Sequence, residues 1–158
     1  ASDLTNEELT AVQKFSKEQF KEHSIFHFGT TDIVKASDDA AEDKILRRTS
    51  KTSNLHGAEK LGLKGWDANG TYDSAIIFRG GRAILPSLSK HVKGAIVGVG
   101  VFNKDLVEKF DVVMPGLSFV EKSGTIVNWQ GTAQKIQQAL EPLGESKSVT
   151  EIFEMWSE

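Results

Sequence analysis

The run Gly94-Ala95-Ile96-Val97-Gly98-Val99-Gly100-Val101 contains no polar side chain. A strand with one wet face alternates apolar and polar residues. This run is apolar on both faces, as strands are in a parallel sheet covered by helices on each side. Working outward, Lys104 to Phe110 predicts a helix, and Asp111 to Met114 predicts a second strand that Pro115 stops. Upstream, Ser74 to Phe78 predicts another buried strand, followed by a Gly80-Gly81-Arg82 turn and a short helical segment from Ala83 to Ser89. Strand and helix alternating in this way build an α/β layered fold with a mainly parallel sheet flanked by helices.

The flanks add further elements. Residues 5 to 22 predict a helix opened by a capping box, in which the Thr5 hydroxyl and the Glu8 carboxylate satisfy amides of the first turn. Leu9, Val12, Phe15 and Phe20 approximate one apolar face of it. A strand from Ile25 to Phe28, a turn at Gly29 to Asp32 and an acidic-to-basic helix from Asp38 to Arg47 follow. Asn54 is expected to cap a short helix ending near Gly62, and residues 62 to 74 read as a loop. After Pro115, a helix is expected from Thr132 to Leu140. Pro142-Leu143-Gly144 reads as a linker. Ser148 and Glu151 form a second capping box that opens a final helix through Trp156.

The chain has 158 residues, 39% hydrophobic and 26% charged, which suits one domain spanning 1–158 with its own core. A net charge of −3 argues against a nucleic-acid surface. The local basic cluster from Lys44 to Lys51 reads either as an anion contact or as a solvated helix end. With no cysteine, thiolate-held Fe–S clusters, Cys zinc sites and disulfides are excluded. His23 and His27 are four apart, a metal-binding spacing on a helix, but Ile25 to Phe28 reads as a strand, so no metal site is expected. No apolar segment approaches the ~20 residues that span a bilayer, and the start of the sequence lacks a signal-peptide pattern. A soluble, cytoplasmic protein without direct membrane insertion is expected.

Two groups of residues are candidates for a site. Gly98-Val99-Gly100-Val101-Phe102-Asn103 ends a strand just before a helix, where open α/β sheets bind phosphates and nucleotides. Its pattern is G-x-G-x-x-N, and the competing reading is a glycine-rich strand that lets a helix pack closely. The second group is the polar set Glu121, Lys122, Thr125, Asn128 and Gln134. It reads either as hydrogen-bond partners for a cofactor or as structural. In the structural reading Glu121 pairs with Lys122, while Asn128 and Gln134 satisfy backbone amides and Gly124 and Gly131 supply unusual dihedrals. Nothing assembles a Ser-His-Asp or Cys-His set, so no catalytic residue is assigned. The carboxylate pairs Glu7-Glu8 and Asp38-Asp39 sit in helix first turns, where the dipole accounts for them. Trp66, Trp129 and Trp156 read as core residues or as anchors of an interface.

The order Val112-Val113-Met114-Pro115, then Phe119-Val120-Glu121-Lys122-Ser123-Gly124-Thr125-Ile126-Val127-Asn128-Trp129-Gln130-Gly131-Thr132-Ala133-Gln134, then Ala139-Leu140-Glu141-Pro142-Leu143-Gly144-Glu145, closely resembles the C-terminal segment of the molybdopterin oxidoreductase family. There a strand ending in D-V-V-L-P runs into F-x-E-K-x-G-T-x-x-N-x-x-G-x-x-Q and A-x-x-P-x-G-E. The branch it looks most like is the C-terminal part of the large peripheral-arm subunit of respiratory NADH-quinone oxidoreductase. Leu46 to Ala58 resembles the family's R-R-x-x-x-T-x-N-x-x-G-A stretch, with Arg47 and Arg48 able to grip an anion or an acidic partner. Leu4 to Glu8 resembles a domain-opening N-E-E. The resemblance is strongest over 111–145. Two features depart from the pattern. Val101-Phe102-Asn103 stands where the family has a G-E-N-P turn, and Asp105 to Phe110 shortens the acidic and threonine-rich approach to the strand.

The resemblance implies a formate dehydrogenase/DMSO reductase-type domain without redox chemistry of its own. It implies a scaffold or docking domain of the NADH-quinone oxidoreductase peripheral arm, binding no cofactor, with other subunits of a respiratory complex as partners. Its place would be cytoplasmic, reaching the inner membrane through those partners. Two alternatives remain open. One is a cofactor-wall fragment of a molybdopterin-dependent oxidoreductase, with Gly98, Gly100, Asn103, Glu121, Lys122, Thr125 and Asn128 lining a molybdopterin dinucleotide. The other is a small nucleotide-binding module built on the Gly98 to Asn103 turn.

Overall fold

The computed structural model describes residues 4–27, 52–66, 69–78, 88–102 and 104–157. The predicted turn at 29–32, the helix at 38–47, Arg48, the turn at 80–82, most of the segment at 83–89 and Asn103 lie outside the described residues. In chain order the elements are helix α1 (Asn6–Gln19), strand β1 (Phe26–His27), helix α2 (Leu55–Lys60), strands β2 (Lys64–Gly65), β3 (Ala75–Phe78) and β4 (Ile96–Gly100), the short helix α3 (Lys104–Val107), strand β5 (Val112–Pro115), a 3-10 turn (Phe119–Glu121), strands β6 (Gly124–Val127) and β7 (Ala133–Ile136), and helix α4 (Val149–Ser157).

Strands β3, β4 and β5 form a sheet in that order, with both pairings parallel. Because side chains alternate along a strand, the sheet sorts its apolar residues into two cores. Phe78 and Val99, with Ile76, Val97 and Met114, pack on one face against Leu9, Val12 and Phe15 of α1 and Val149, Ile152 and Phe153 of α4. Ile77 and Ile96, with Ala75 and Val113, pack on the other face against Leu88, Leu106 and Phe110. The structure is thus a mixed α/β fold with a parallel sheet apolar on both faces, as the composition of β4 predicts. Gly98 belongs to this packing: a Cβ there would lie 2.9 Å from the Phe110 ring. Asp111, just ahead of β5, fixes the start of β4, since the Ile96 amide donates to its Oδ2 at 2.7 Å.

The first core centres on aromatic stacking. The Phe15 and Phe153 rings stack nearly parallel with centroids 4.1 Å apart, and Phe78 meets Phe153 edge-on at 5.6 Å. Phe20, expected on the same apolar face, caps the end of α1 and is exposed, touching Phe15 only edge-on.

Several expectations are corrected. The stretch from Thr132 to Leu140 is not a helix. It carries β7, antiparallel to β6, with Thr125 opposite Lys135 and Val127 opposite Ala133. The physical reason is the turn between them. Asn128 Oδ1 accepts from the Gln130 and Thr132 amides at 3.0 Å each, and Gly131 takes φ +80°, which reverses the chain. The expected loop at 62–74 contains β2, paired in parallel with β1. Pro115 does not stop β5 from outside but is its last residue. Proline is tolerated at a sheet edge because the amide it lacks would face outward, and its carbonyl accepts from the Lys147 amide at 3.1 Å. Both capping boxes form as expected, Thr5 with Glu8 and Ser148 with Glu151.

Phe153→Ala removes the ring that joins α4 to both α1 and β3. The expected loss is about 3–5 kcal/mol of unfolding free energy, read as a shift in urea midpoint at unchanged slope.

Candidate functional site

Two members of the polar set, Lys122 and Thr125, meet the N-terminus of α1, far away in sequence. Lys122 and Glu8 are both buried, and the Lys122 Nζ donates to Glu8 Oε2 at 2.6 Å across 114 positions. The same Glu8 oxygen accepts the Thr5 amide at 2.8 Å, so one carboxylate both caps α1 and neutralises the buried ammonium. Next to it, Glu7 accepts from the Thr125 amide and hydroxyl, each at 2.8 Å. Gly124 makes this approach feasible. Its φ is +153°, and a Cβ there would lie 2.7 Å from the Thr5 side chain.

Asn54 supplies the third tie. It is buried, adopts a left-handed conformation at φ 53° and stands at the N-cap position of α2 as expected, but its side chain makes no cap hydrogen bond there. Its Nδ2 donates to the Leu4 carbonyl at 2.7 Å and to Asn6 Oδ1 at 3.0 Å, while its Oδ1 accepts the Val127 amide at 2.7 Å. Those three bonds offset the cost of the strained backbone, on the order of 1–3 kcal/mol.

Glu121 turns away from this cluster. Its Oε2 accepts the Ser118 amide at 2.7 Å and its Oε1 the Leu143 amide at 2.8 Å, while Lys122 forms its ion pair with Glu8. Asn128 works within its own turn, and Gln134 stands exposed on β7 opposite Ile126. Gly98 lies under Phe110, and Gly100 lies against Gly116, whose Cβ would come within 2.9 Å of the Gly100 Cα. The structure therefore brings Lys122 and Thr125 together at α1, and leaves Gly98 and Gly100 apart from them in β4. Glu7, Glu8 and Asn54 complete the cluster. Sequence reading saw Glu8 and Asn54 only as local caps and Glu7 only as a first-turn charge, because partners more than seventy positions away leave no local signal.

Among the described residues every buried side-chain nitrogen and oxygen has a hydrogen-bond partner within the chain. No group of three His, Asp or Glu among the described residues is placed to hold a metal ion. A shallow depression of about 520 Å³ lies between α2 and the β6–β7 turn. There the His56 ring bridges Glu59 and the Trp129 carbonyl at 3.0 and 3.1 Å, and Lys60 donates to the Gly131 carbonyl at 2.9 Å. Trp129 is half exposed above it, whereas Trp66 and Trp156 pack into aromatic clusters. No helix among the described residues is long and apolar enough to cross a membrane.

Charge and hydrogen bonding act on two carboxylates. Burial raises the Glu7 pKa, but the bonds from the Thr125 amide and hydroxyl, its own amide and Thr5 outweigh it and hold the group below the usual carboxylate value. The Ser148 hydroxyl and amide lower Glu151 in the same way.

Residues 87–158 match the family model for molybdopterin oxidoreductase. Two of the relatives carry the name "Putative formate dehydrogenase". The one from Staphylococcus haemolyticus (strain JCSC1435) is 47% identical over 45 residues, 28% of this chain and 5% of the relative. The one from Staphylococcus aureus (strain USA300) is 48% identical over 44 residues, 28% of this chain and 4% of the relative. The similarity thus covers about a twentieth of the relatives' length.

Two outcomes are expected. Lys122→Met leaves Glu8 buried without its counter-charge and costs about 3–5 kcal/mol, while adding Glu8→Gln, which keeps the cap acceptor, recovers part of that loss. A double-mutant cycle on urea unfolding measures both. For Glu7 the folded pKa is depressed, so its contribution is present above the unfolded value and lost as pH falls through the folded one. The melting-temperature gap between the wild type and Glu7→Gln should therefore close as pH drops from about 5 to about 3.

Proposed function

We propose that this chain is a non-catalytic supporting domain of a molybdopterin-type oxidoreductase, framing the part of a larger assembly that carries the cofactor. One observation carries the reading: the polar residues of the 119–134 segment bind the chain's own backbone and α1. Glu121 and Lys122, both buried, direct their side chains to partners within the chain. The family match over 87–158 and the short, high-identity similarity to proteins named as formate dehydrogenases support a formate dehydrogenase-like parent. Gly98 and Gly100, the glycines of the alternative nucleotide turn, serve close packing of Phe110 and Gly116, which weighs against a free nucleotide-binding module.

A second reading keeps the same supporting role but assigns it to the peripheral arm of NADH-quinone oxidoreductase, with respiratory subunits as partners. The order of motifs between 111 and 145 favours it. In either setting these cysteine-free residues hold no thiolate-ligated Fe–S cluster themselves.

The test is affinity purification of the tagged chain from its own host, followed by native mass spectrometry with molybdenum and pterin determination. The expected result is a complex in which molybdenum and pterin travel with a second polypeptide and are absent from the chain after dissociation. Recovery with NADH-quinone oxidoreductase subunits and no molybdenum would move the assignment to the second reading. Stoichiometric pterin and molybdenum on the dissociated chain would overturn the supporting role.

A further inference from the structure

The His56 ring is held between two atoms that only accept. Its Nδ1 lies 3.0 Å from Glu59 Oε2 and its Nε2 lies 3.1 Å from the Trp129 carbonyl oxygen. An ionised carboxylate and a carbonyl offer lone pairs and no hydrogen. A neutral imidazole carries one N–H, so it satisfies one of these oxygens and turns a nitrogen lone pair on the other. Only the imidazolium, with a hydrogen on each nitrogen, makes both bonds.

The two bonds serve different parts of the chain. Glu59 stands on α2 with His56, one turn further on. Trp129 lies in the turn between β6 and β7, whose own bonds run from the Gln130 and Thr132 amides to Asn128 and do not reach α2. The charged groups lining the depression around His56 are Glu59 and Lys60, both from α2, and the turn from Asn128 to Thr132 contributes no ionisable side chain. Lys60 holds the Gly131 carbonyl. The Glu59 carboxylate also acts on His27 of β1, where it opposes the lowering of the pKa by burial.

We propose that His56 is a pH-dependent latch, which fastens the β6–β7 turn to α2 when charged and releases the Trp129 carbonyl when neutral. A hydrogen bond to a charged acceptor is the stronger of the two, so the neutral ring keeps its hydrogen on Nδ1 toward Glu59. The Nε2 lone pair then faces the Trp129 carbonyl and repels it. The bond across to the turn is present at the acid end and lost as pH rises. The half-exposed Trp129 is carried on this peptide, so the latch sets how its indole is presented beside the depression.

The test is NMR of the isotope-labelled protein between about pH 5 and about pH 8, the range in which histidine changes charge. Imidazole spectra are expected to show hydrogens on both His56 nitrogens at the acid end and on Nδ1 alone at the other. The Gln130 amide shares a peptide group with the Trp129 carbonyl, and its resonance should shift with the same midpoint. His56→Gln should abolish that shift, and His27→Gln should leave it intact. In Glu59→Gln the new amide group donates to Nδ1, so the neutral ring keeps its hydrogen on Nε2. The Gln130 shift should then disappear although the ring still titrates. A Gln130 resonance that stays fixed while the wild-type ring titrates would overturn the latch, as would a shift that survives His56→Gln. A full shift retained in Glu59→Gln would overturn the two-acceptor mechanism.

Discussion

The buried pair between Lys122 and Glu8 is the constraint on which the rest of this structure depends. An ammonium shielded from water is tolerated only with a counter-charge and satisfied hydrogen bonds, and the one carboxylate oxygen that meets it also caps α1. The position of α1 is thereby locked to the segment following β5. Glu7 on Thr125 and Asn54 on Val127 add ties to the same strand, β6. With α1 placed, its Leu9, Val12 and Phe15 close the core beneath α4 and the first face of the sheet. Polar and apolar terms cooperate here: the ties set the register of α1, and aromatic packing supplies the greater part of the stability.

This arrangement joins the residues that match the family model to residues outside the match. Lys122 lies inside the matched residues 87–158, but its counter-ion Glu8 and the clamp Asn54 lie outside them. The matched segment alone would leave a buried cation without this counter-charge and the Val127 amide without its acceptor. Glu7, Glu8 and Asn54 are thus physical partners that the matched segment requires from outside itself.

Much of the architecture was legible because it follows from local rules. The unbroken apolar run in β4 announced a sheet covered on both faces. The Thr5–Glu8 and Ser148–Glu151 spacings announced the starts of α1 and α4. What was misread depended on distant partners or on competition between local signals. Residues 132–140 contain Ala, Gln, Lys and Leu, all good helix formers, yet the Asn128 side chain and the left-handed Gly131 reverse the chain and pair β7 with β6. Asn54 looked like a cap because asparagine favours helix starts. Its observed role needed Leu4 and Val127, neither of which is near it in sequence. Of the candidate site residues, only Lys122 and Thr125 meet at α1, and their partners Glu8 and Glu7 could not be read from spacing.

The hydrogen bonds give the signature a specific physical meaning. Glu121, Glu7, Asn54 and Asn128 each accept backbone amides that the strand and helix ladders leave over: Ser118 and Leu143 in irregular chain, Thr125 and Val127 on β6, and the β6–β7 turn. Irregular backbone carries amides that no helix or strand satisfies, and burying them unpaired would cost about 1–3 kcal/mol each. Carboxylate and amide side chains placed at these points satisfy those amides from within the chain, so the path of the segment after β5 is fixed by side chains from distant parts of the sequence.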